Sequence, residues 1–384
     1  MHKRILAALL CACAMLLTGC SELDQVENLA FAVILGVDLT EQGEIEICIQ
    51  VPKITSQQGE EGSGGSGSSD HLIYSASGRN FDEALNLLQW AVPRKLDLSQ
   101  INLIVVSEKL AADEHFTKIA DTIMAMPRLY TAARLAICKG SAKEFVSAEA
   151  PMIGTRMSTE LTATFEDYTK NGFIPDTTFA DIYYRSRSVY SDPLAIYSEP
   201  APKSESSEGS DSAQAAAAII PDSTSVSKAE MQQSNRFLGA AVFHEGTLVG
   251  RLSGEESLYC KILQGGQQTF AFSLGEQTVG LTTLGAPDVE VDTGASPMQI
   301  QVGLRFSIAA SSKNTPTEEL ERELEQALLS TIEACKNMGA EPLNFAEAAA
   351  GDFLTMEDWC AFDWNRRFLE SDVHVAVHVT PSDA

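Results

Sequence analysis

Positive charge is scarce in this chain. Its 384 residues include 27 Lys or Arg against 53 Asp or Glu, a formal net charge of −26. So acidic a body repels phosphate backbones and anionic head groups, which argues against nucleic acid and against electrostatic docking to a membrane. Long apolar runs are missing beyond residue 20, where no stretch reaches the ~18 residues of a transmembrane helix. Catalytic signatures are missing too. No Gly-x-Ser-x-Gly elbow occurs, and no CxxC or Cys/His spacing offers a metal site. Gly62, Gly64 and Gly67 satisfy GxGxxG, but inside a Gly/Ser run rather than between a strand and a helix, so no dinucleotide site follows. His374 and His378 stand four apart in a strand pattern, a separation of roughly 13 Å that rules out a shared metal. The sequence therefore implies a non-enzymatic chain with no cofactor and no metal.

What is present begins at the N-terminus. His2, Lys3 and Arg4 precede a thirteen-residue apolar run, Ile5–Leu17, which leads into Thr18, Gly19 and Cys20. The run is too short to span a bilayer, for which about 20 apolar residues are needed, and has the form of an export signal. Its end is a lipobox. Cleavage after Gly19 makes Cys20 the first residue, carrying an S-diacylglyceryl group and an N-acyl chain and tethering the body to a membrane from the extracytoplasmic side. Removing residues 1–19 takes away two bases and no acids, so 25 basic and 53 acidic residues remain, a charge of −28. Of eight cysteines, Cys11 and Cys13 leave with the signal. Cys48, Cys138, Cys260, Cys335 and Cys360 are odd in number and widely spaced; they read as single thiols, with one bridging pair left open.

Two low-complexity inserts divide the rest. Residues 56–70 are Gly/Ser-rich and read as a flexible loop within a domain; residues 200–234 are rich in Pro, Ser and acid and read as a disordered linker. The spacing predicts an N-terminal α/β domain over 20–150. It has a buried strand at Leu29–Val37 and a half-buried strand with Ile45, Ile47, Ile49 and Val51 inward and Glu44, Glu46, Cys48 and Gln50 outward. A helix ends at Pro93, a strand covers Ile101–Val106, a helix spans 108–126, and a strand covers Leu129–Cys138. Residues 151–199 read as a mostly helical connector. Residues 235–384 read as an α+β domain in which a long amphipathic helix packs on a mainly antiparallel sheet. That helix has Thr315 as N-cap, Pro316 first, and a stripe of Leu320, Leu324, Leu328, Ile332 and Cys335. Ser253 and Glu256 form a capping box, and a helix over Thr355–Phe368 carries Trp359 and Trp364. The last strand aligns Val373, Val375, Val377 and Val379. The two tryptophans read as core.

The order of these pieces resembles the Ger(x)C, or GerAC-like, family of C-subunit lipoproteins of spore germinant receptors. The match rests on Cys20; on the apolar strand ending in Gly36-Val37-Asp38 and the hairpin into Glu44–Val51; and on Gly78, Ala84, Leu85 and Lys109-Leu110-Ala111. In the second half it rests on Ala241-Val242-Phe243, Gly246-Thr247-Leu248-Val249-Gly250-Arg251-Leu252, Glu255, Glu256 and Leu258, then the long helix and the Trp helix. Ser21 departs from the Trp that commonly follows the lipobox, and Gln100 from a usual His. The resemblance implies a lipid-anchored subunit at the spore inner membrane, acting with two integral-membrane partners, the A and B subunits, in nutrient-triggered germination. The alternative from the residues alone is a solute-binding lipoprotein of a transporter, which expects a ligand cleft between two similar lobes.

Overall fold

The structure, a computed structural model, describes residues 26–53, 71–126, 129, 132–148, 165–200, 218–219, 236–275, 277–309 and 316–381. Gly19, Cys20, the Gly62–Gly67 motif and Thr315 lie outside the described residues. In chain order the first half forms β1 (Leu29–Phe31), β2 (Ile34–Leu39), β3 (Ile45–Pro52), β4 (His71–Gly78), α1 (Phe81–Ala91), β5 (Lys95–Asp97), β6 (Leu103–Ser107), α2 (Glu108–Ala111), α3 (His115–Ala125), β7 (Arg134–Cys138), α4 (Ala142–Ala148), α5 (Phe179–Arg185) and β8 (Leu194–Glu199). The second half forms β9 (Ala218–Ile219), β10 (Arg236–His244), β11 (Thr247–Ser253), α6 (Gly254–Leu263), β12 (Thr269–Leu274), β13 (Gln277–Thr283), β14 (Asp288–Asp292), β15 (Gln299–Ile308), α7 (Thr317–Asn337), α8 (Phe345–Ala350), α9 (Met356–Phe362), α10 (Trp364–Leu369) and β16 (Asp372–Thr380).

The chain is α/β followed by α+β. The main path of the first sheet runs in the order β11-β10-β8-β7-β6-β2-β3-β4. Its centre, β2, β6, β7 and β8, is parallel, and antiparallel hairpins flank it on both sides. Continuous apolar runs occupy the centre because both faces are covered. On one face α1, α3 and α5 bring Phe81, Leu88, Phe116, Ile119 and Phe179 into the core. On the other, α4 and the helical residues 165–170 bring Phe145, Val146 and Phe165. This double cover corrects one expectation. β3 is buried on both sides, so Cys48, beneath α4, and Gln50 are each 1% exposed, where simple alternation had placed them outward.

A three-residue signature explains how α4 sits so close. A methyl on Gly36 would collide with Cys48 Sγ and lie 3.0 Å from Val146 Cγ2, so only glycine admits the helix. Two residues on, Asp38 reaches the start of α4. Its carboxylate accepts from the backbone N–H of Ala142 (2.9 Å) and Lys143 (3.0 Å) and from Ser141 Oγ (3.1 Å). These are the orphan donors of a helix N-terminus, and a buried carboxylate is a strong partner for them.

The linker does not separate two bodies in the way its composition suggested. β10 and β11, which follow it, pair back onto β8 and complete the first sheet. β8 itself falls within the stretch expected to be mostly helical. Its buried run, Leu194–Tyr197, is too short to stand out in the sequence, yet β7 on one side and β10 on the other satisfy its backbone. Nearer the ends, the expected helix over 108–126 is broken into α2 and α3, and the strand expected from Leu129 begins only at Arg134.

The second sheet comprises β12, β13, β15, β14 and β16, antiparallel except for the β15–β16 pair. Ile300, Val302, Leu304, Phe306 and Ile308 of β15 face Leu320, Leu324, Leu328, Ile332 and Cys335 of α7 in one core. α7 begins at Thr317, with Pro316 at the cap position. It also guards the open edge of β16: Glu325 Oε1 accepts from Val377 N (2.9 Å) and Glu321 Oε1 from Val379 N (2.7 Å), occupying donors that would otherwise template another strand. His374 and His378 point away from the core on exposed positions of β16.

Gly36→Ala should lower stability by about 1–3 kcal/mol through overpacking, and Asp38→Ala by about 1–2 kcal/mol through the lost cap. Urea unfolding followed by circular dichroism checks both. Unchanged midpoints would contradict the packing described for α4.

Candidate functional site

In α/β sheets the usual ligand crevice lies at the carboxyl ends of the parallel strands. Here that crevice is lined by Asp38, Thr40, Ser107, Glu108, Lys109 and Ser141. Most of its polar groups are committed internally, while Ser107 Oγ is buried without a hydrogen-bond partner. Asp38 holds α4, Lys109 Nζ donates to Thr40 O (3.0 Å), Lys143 Nζ donates to Glu46 Oε1 (2.5 Å), and Tyr197 Oη donates to Glu108 Oε2 (3.2 Å). These bonds tie the crevice into the fold.

A second cleft, of about 320 Å³, opens where the two halves of the chain meet. One wall is the segment between α5 and β8; the others are the end of β10, the loop after α7, and the α9–α10 corner. Asp192 is its hub. Asp192 N donates to Glu341 O (3.0 Å), Glu341 N donates back to Asp192 Oδ2 (2.8 Å), and the Asp192 carboxylate takes His244 Nδ1 at 3.0 and 3.1 Å. Alongside, Ser191 Oγ bonds Asn344 Oδ1 (2.7 Å), and Trp359 Nε1 donates to Val189 O (3.2 Å). Three widely separated segments are stitched at one point.

His244 is fully engaged. Its Nε2 faces Asn365 Nδ2 at 3.2 Å while Nδ1 meets Asp192, so neither ring nitrogen is left to activate a nucleophile. The Asp192 hydrogen bond outweighs partial burial and raises the histidine above its ordinary range. Glu341 is 2% exposed, and burial pushes its carboxyl up to about 8, even though Oε1 accepts from Leu343 N (2.8 Å) and Phe345 N (3.1 Å). At neutral pH this acid holds its proton.

An aromatic stack backs the cleft. Tyr190 lies over Trp359 (5.6 Å between centroids), Trp359 over Trp364 (5.8 Å), and Trp364 over Phe368 (6.1 Å). Five residues apart on one helix, the tryptophans would not share a face. The helix expected over Thr355–Phe368 breaks at Asp363, whose φ of 56° turns the chain and brings the two rings into register. Both are buried, as the sequence indicated. The sequence did not reveal Asp192, His244, Glu341 and Asn365 as a group. The only traces were an Asp-Pro pair at 192–193 and a turn at His244–Gly246.

The second signature has a structural reason here. Glu245 (φ 47°) and Gly246 (φ 82°) form the tight turn between β10 and β11, a geometry that needs positive φ at both positions. A side chain on Gly250 would collide with Met338, at the end of α7. Ser253 then caps α6, accepting from Glu256 N (3.2 Å) while Glu256 Oε2 accepts from Ser253 N (2.8 Å). The signature is the hinge piece that finishes the first sheet and hands the chain to the second.

Among the described residues no cluster of His, Cys, Asp and Glu is arranged to hold a metal. The five cysteines are unbridged; Cys260 and Cys335 come nearest, with Sγ atoms 4.0 Å apart between α6 and α7. No described helix is long and apolar enough to cross a membrane.

The cleft carries a pH dependence of definite sign. Unfolded, Glu341 ionises near 4.5; folded, near 8. The folded chain therefore keeps a proton that the unfolded chain has lost, and stability falls as pH rises from about 4.5 towards 8. His244 adds in the same direction, its contribution complete below the unfolded value and fading as pH climbs through the higher folded one. The slope is at most about 1.4 kcal/mol per pH unit for each proton. Glu341→Gln should flatten it in thermal melts across pH 5–8; an unaltered slope would contradict the assignment.

Comparison with known proteins agrees with this architecture. Residues 24–199 match the family described as "Spore germination protein N-terminal domain", and residues 238–382 match "Spore germination B3/ GerAC like, C-terminal". The chain is 22% identical to a putative spore germination protein, YfkR, of Bacillus subtilis (strain 168), over 99% of this chain and 95% of that protein. It is 29% identical to spore germination protein KC of the same organism over 32% of this chain and 30% of that one. The crystal structure of the GerBC protein shares the fold, with a TM-score of 0.52 at 12% identity, covering 91% of this chain and 97% of the other. With both halves matched in order, the chain belongs to the GerAC-like family of spore germination proteins.

Proposed function

We propose that this protein is the lipid-anchored, non-enzymatic C subunit of a spore germinant receptor. In this reading Cys20 carries the acyl chains, the folded body lies outside the cytoplasm against the spore inner membrane, and its partners are the membrane-embedded A and B subunits. The observation that carries it is the lipobox at Cys20 standing directly ahead of the two family regions in their order. Two acyl chains anchor stably, at about 0.8 kcal/mol per buried methylene, and confinement raises the body's effective concentration at its partners so that modest contacts suffice. The fully engaged His244 supports a role in assembly rather than catalysis. The two dissimilar halves disfavour a solute-binding lipoprotein, which needs a cleft between like lobes.

In a strain lacking redundant receptors, deleting the gene should impair germination by one set of nutrients while leaving growth normal. Unimpaired germination would overturn the assignment. A thermal-shift screen against amino acids and sugars should give no robust stabilisation; a strong response to one solute would favour the transporter reading. Cys20→Ser should move the protein from the membrane to the soluble fraction.

A further inference from the structure

The net charge hides a local exception. Trp90 is 82% exposed at the end of α1, and Leu87, one turn earlier, is 38% exposed. Beyond the helix end lies a groove of about 520 Å³ lined by Leu29, Phe31, Val51, Leu72, Tyr74 and Val92, with Leu72 itself 41% exposed. The charged residues at this groove are Lys53 and Arg94, and Lys95 follows Arg94 on an exposed position. In a chain with twice as many acids as bases, an apolar groove whose own charged lining is basic is out of character, although the segment leading into β1 carries Glu22, Asp24 and the exposed Glu27.

The backbone brings the start of the chain to the same place. β1 and β5 are parallel, with Leu29 opposite Lys95, and Leu29 lines the groove together with Val92 and Arg94, so the chain enters β1 at the groove. Only five residues separate Cys20 from Val26, where the described structure begins, a span of six Cα-to-Cα steps. At no more than ~3.6 Å per residue, that segment reaches about 20 Å. A lipid on Cys20 therefore holds the bilayer surface within about two nanometres of this end of the body.

Resting on the lipid-anchor reading, we propose that the Trp90–Leu72–Arg94 surface is the face that lies on an anionic phospholipid bilayer. Tryptophan belongs at the head-group level, where its ring is half in hydrocarbon and its N–H is wet. Lysine and arginine beside it are drawn to anionic head groups, and the apolar groove receives the upper acyl region. The acidic remainder is repelled, so the same field that pulls this end down holds the rest away. The contact needs no great strength alone, because the tether supplies the local concentration. Of the other exposed apolar residues, Leu354 and Met356 are followed by Glu357 and Asp358, the wrong charge for such a surface, and Tyr184 and Val189 flank Arg187, whose guanidinium is already paired with Asp121.

The chain has three tryptophans, and Trp359 and Trp364 are buried at 3% and 6%, so Trp90 reports on this face by its fluorescence. The experiment uses the full lipidated protein in phosphatidylglycerol vesicles with and without brominated acyl chains. The bromolipid should quench a component of the emission that is absent in Trp90→Phe. A double variant, Arg94→Glu with Lys95→Glu, should still sediment with the vesicles through Cys20 but lose that quenching. Protein that sediments with Trp90 unquenched overturns the proposal. So does quenching that is unaffected by the charge reversal, or protection of Trp90 that appears only when the membrane companions are added, which would assign the face to a protein. Cys20→Ser is scored separately, by sedimentation: a variant that still pellets refutes the tether, and with it the premise of this surface.

Discussion

The structure depends on a strand that crosses its own linker. β10 lies between β8, which precedes the long polar insert, and β11, which follows it, and backbone hydrogen bonds on both edges hold it there. Everything after residue 253 is thereby fixed to the first sheet by a hairpin in that sheet rather than by a flexible connection. The stitches around Asp192 then close the other side, joining the segment before β8 to the loop after α7. Long insertions are tolerated at such a place because loop closure costs only about 0.6 kcal/mol for each doubling of length. The insert is spliced into a sheet that closes without it.

The two signatures in the sequence follow from this arrangement. Gly36 and Asp38 bring α4 down on the covered face of β2 and β3, which is why those strands carry apolar residues on both sides. Gly246 and Gly250 make the β10–β11 hairpin tight and let Met338 press against it, so the end of the longest helix in the second unit rests on the first sheet. Motifs that look like family habit are points where a side chain would keep two layers apart.

Much of this was legible in advance wherever the signal is local. The stripe of α7, the capping box at Ser253, and the alternation of β16 are written within a few turns or residues, and the structure follows them. Failures came where the deciding contact is distant. Cys48 looked outward until α4, about a hundred residues later, covered it. β8 is a four-residue apolar run whose identity comes from its neighbours. Trp359 and Trp364 face one another only because Asp363 adopts a left-handed turn that no periodicity announces. The Asp192, His244, Glu341 and Asn365 network joins positions up to 173 residues apart in sequence, and a single chain read from one end carries no mark of that. Net charge misled in a similar way, averaging away the small basic rim near Trp90.

The claim that one sheet spans the linker is open to direct attack. A specific protease site placed between residues 200 and 236 would sever the chain without touching any ladder of the first sheet other than the two-residue β9. After cleavage the two pieces should co-purify without denaturant and melt in one transition, because β8, β10 and the Asp192 stitches still join them. Pieces that part on a sizing column, or that melt separately, would show that the halves are independent and that the strand pairing on which this account rests is wrong.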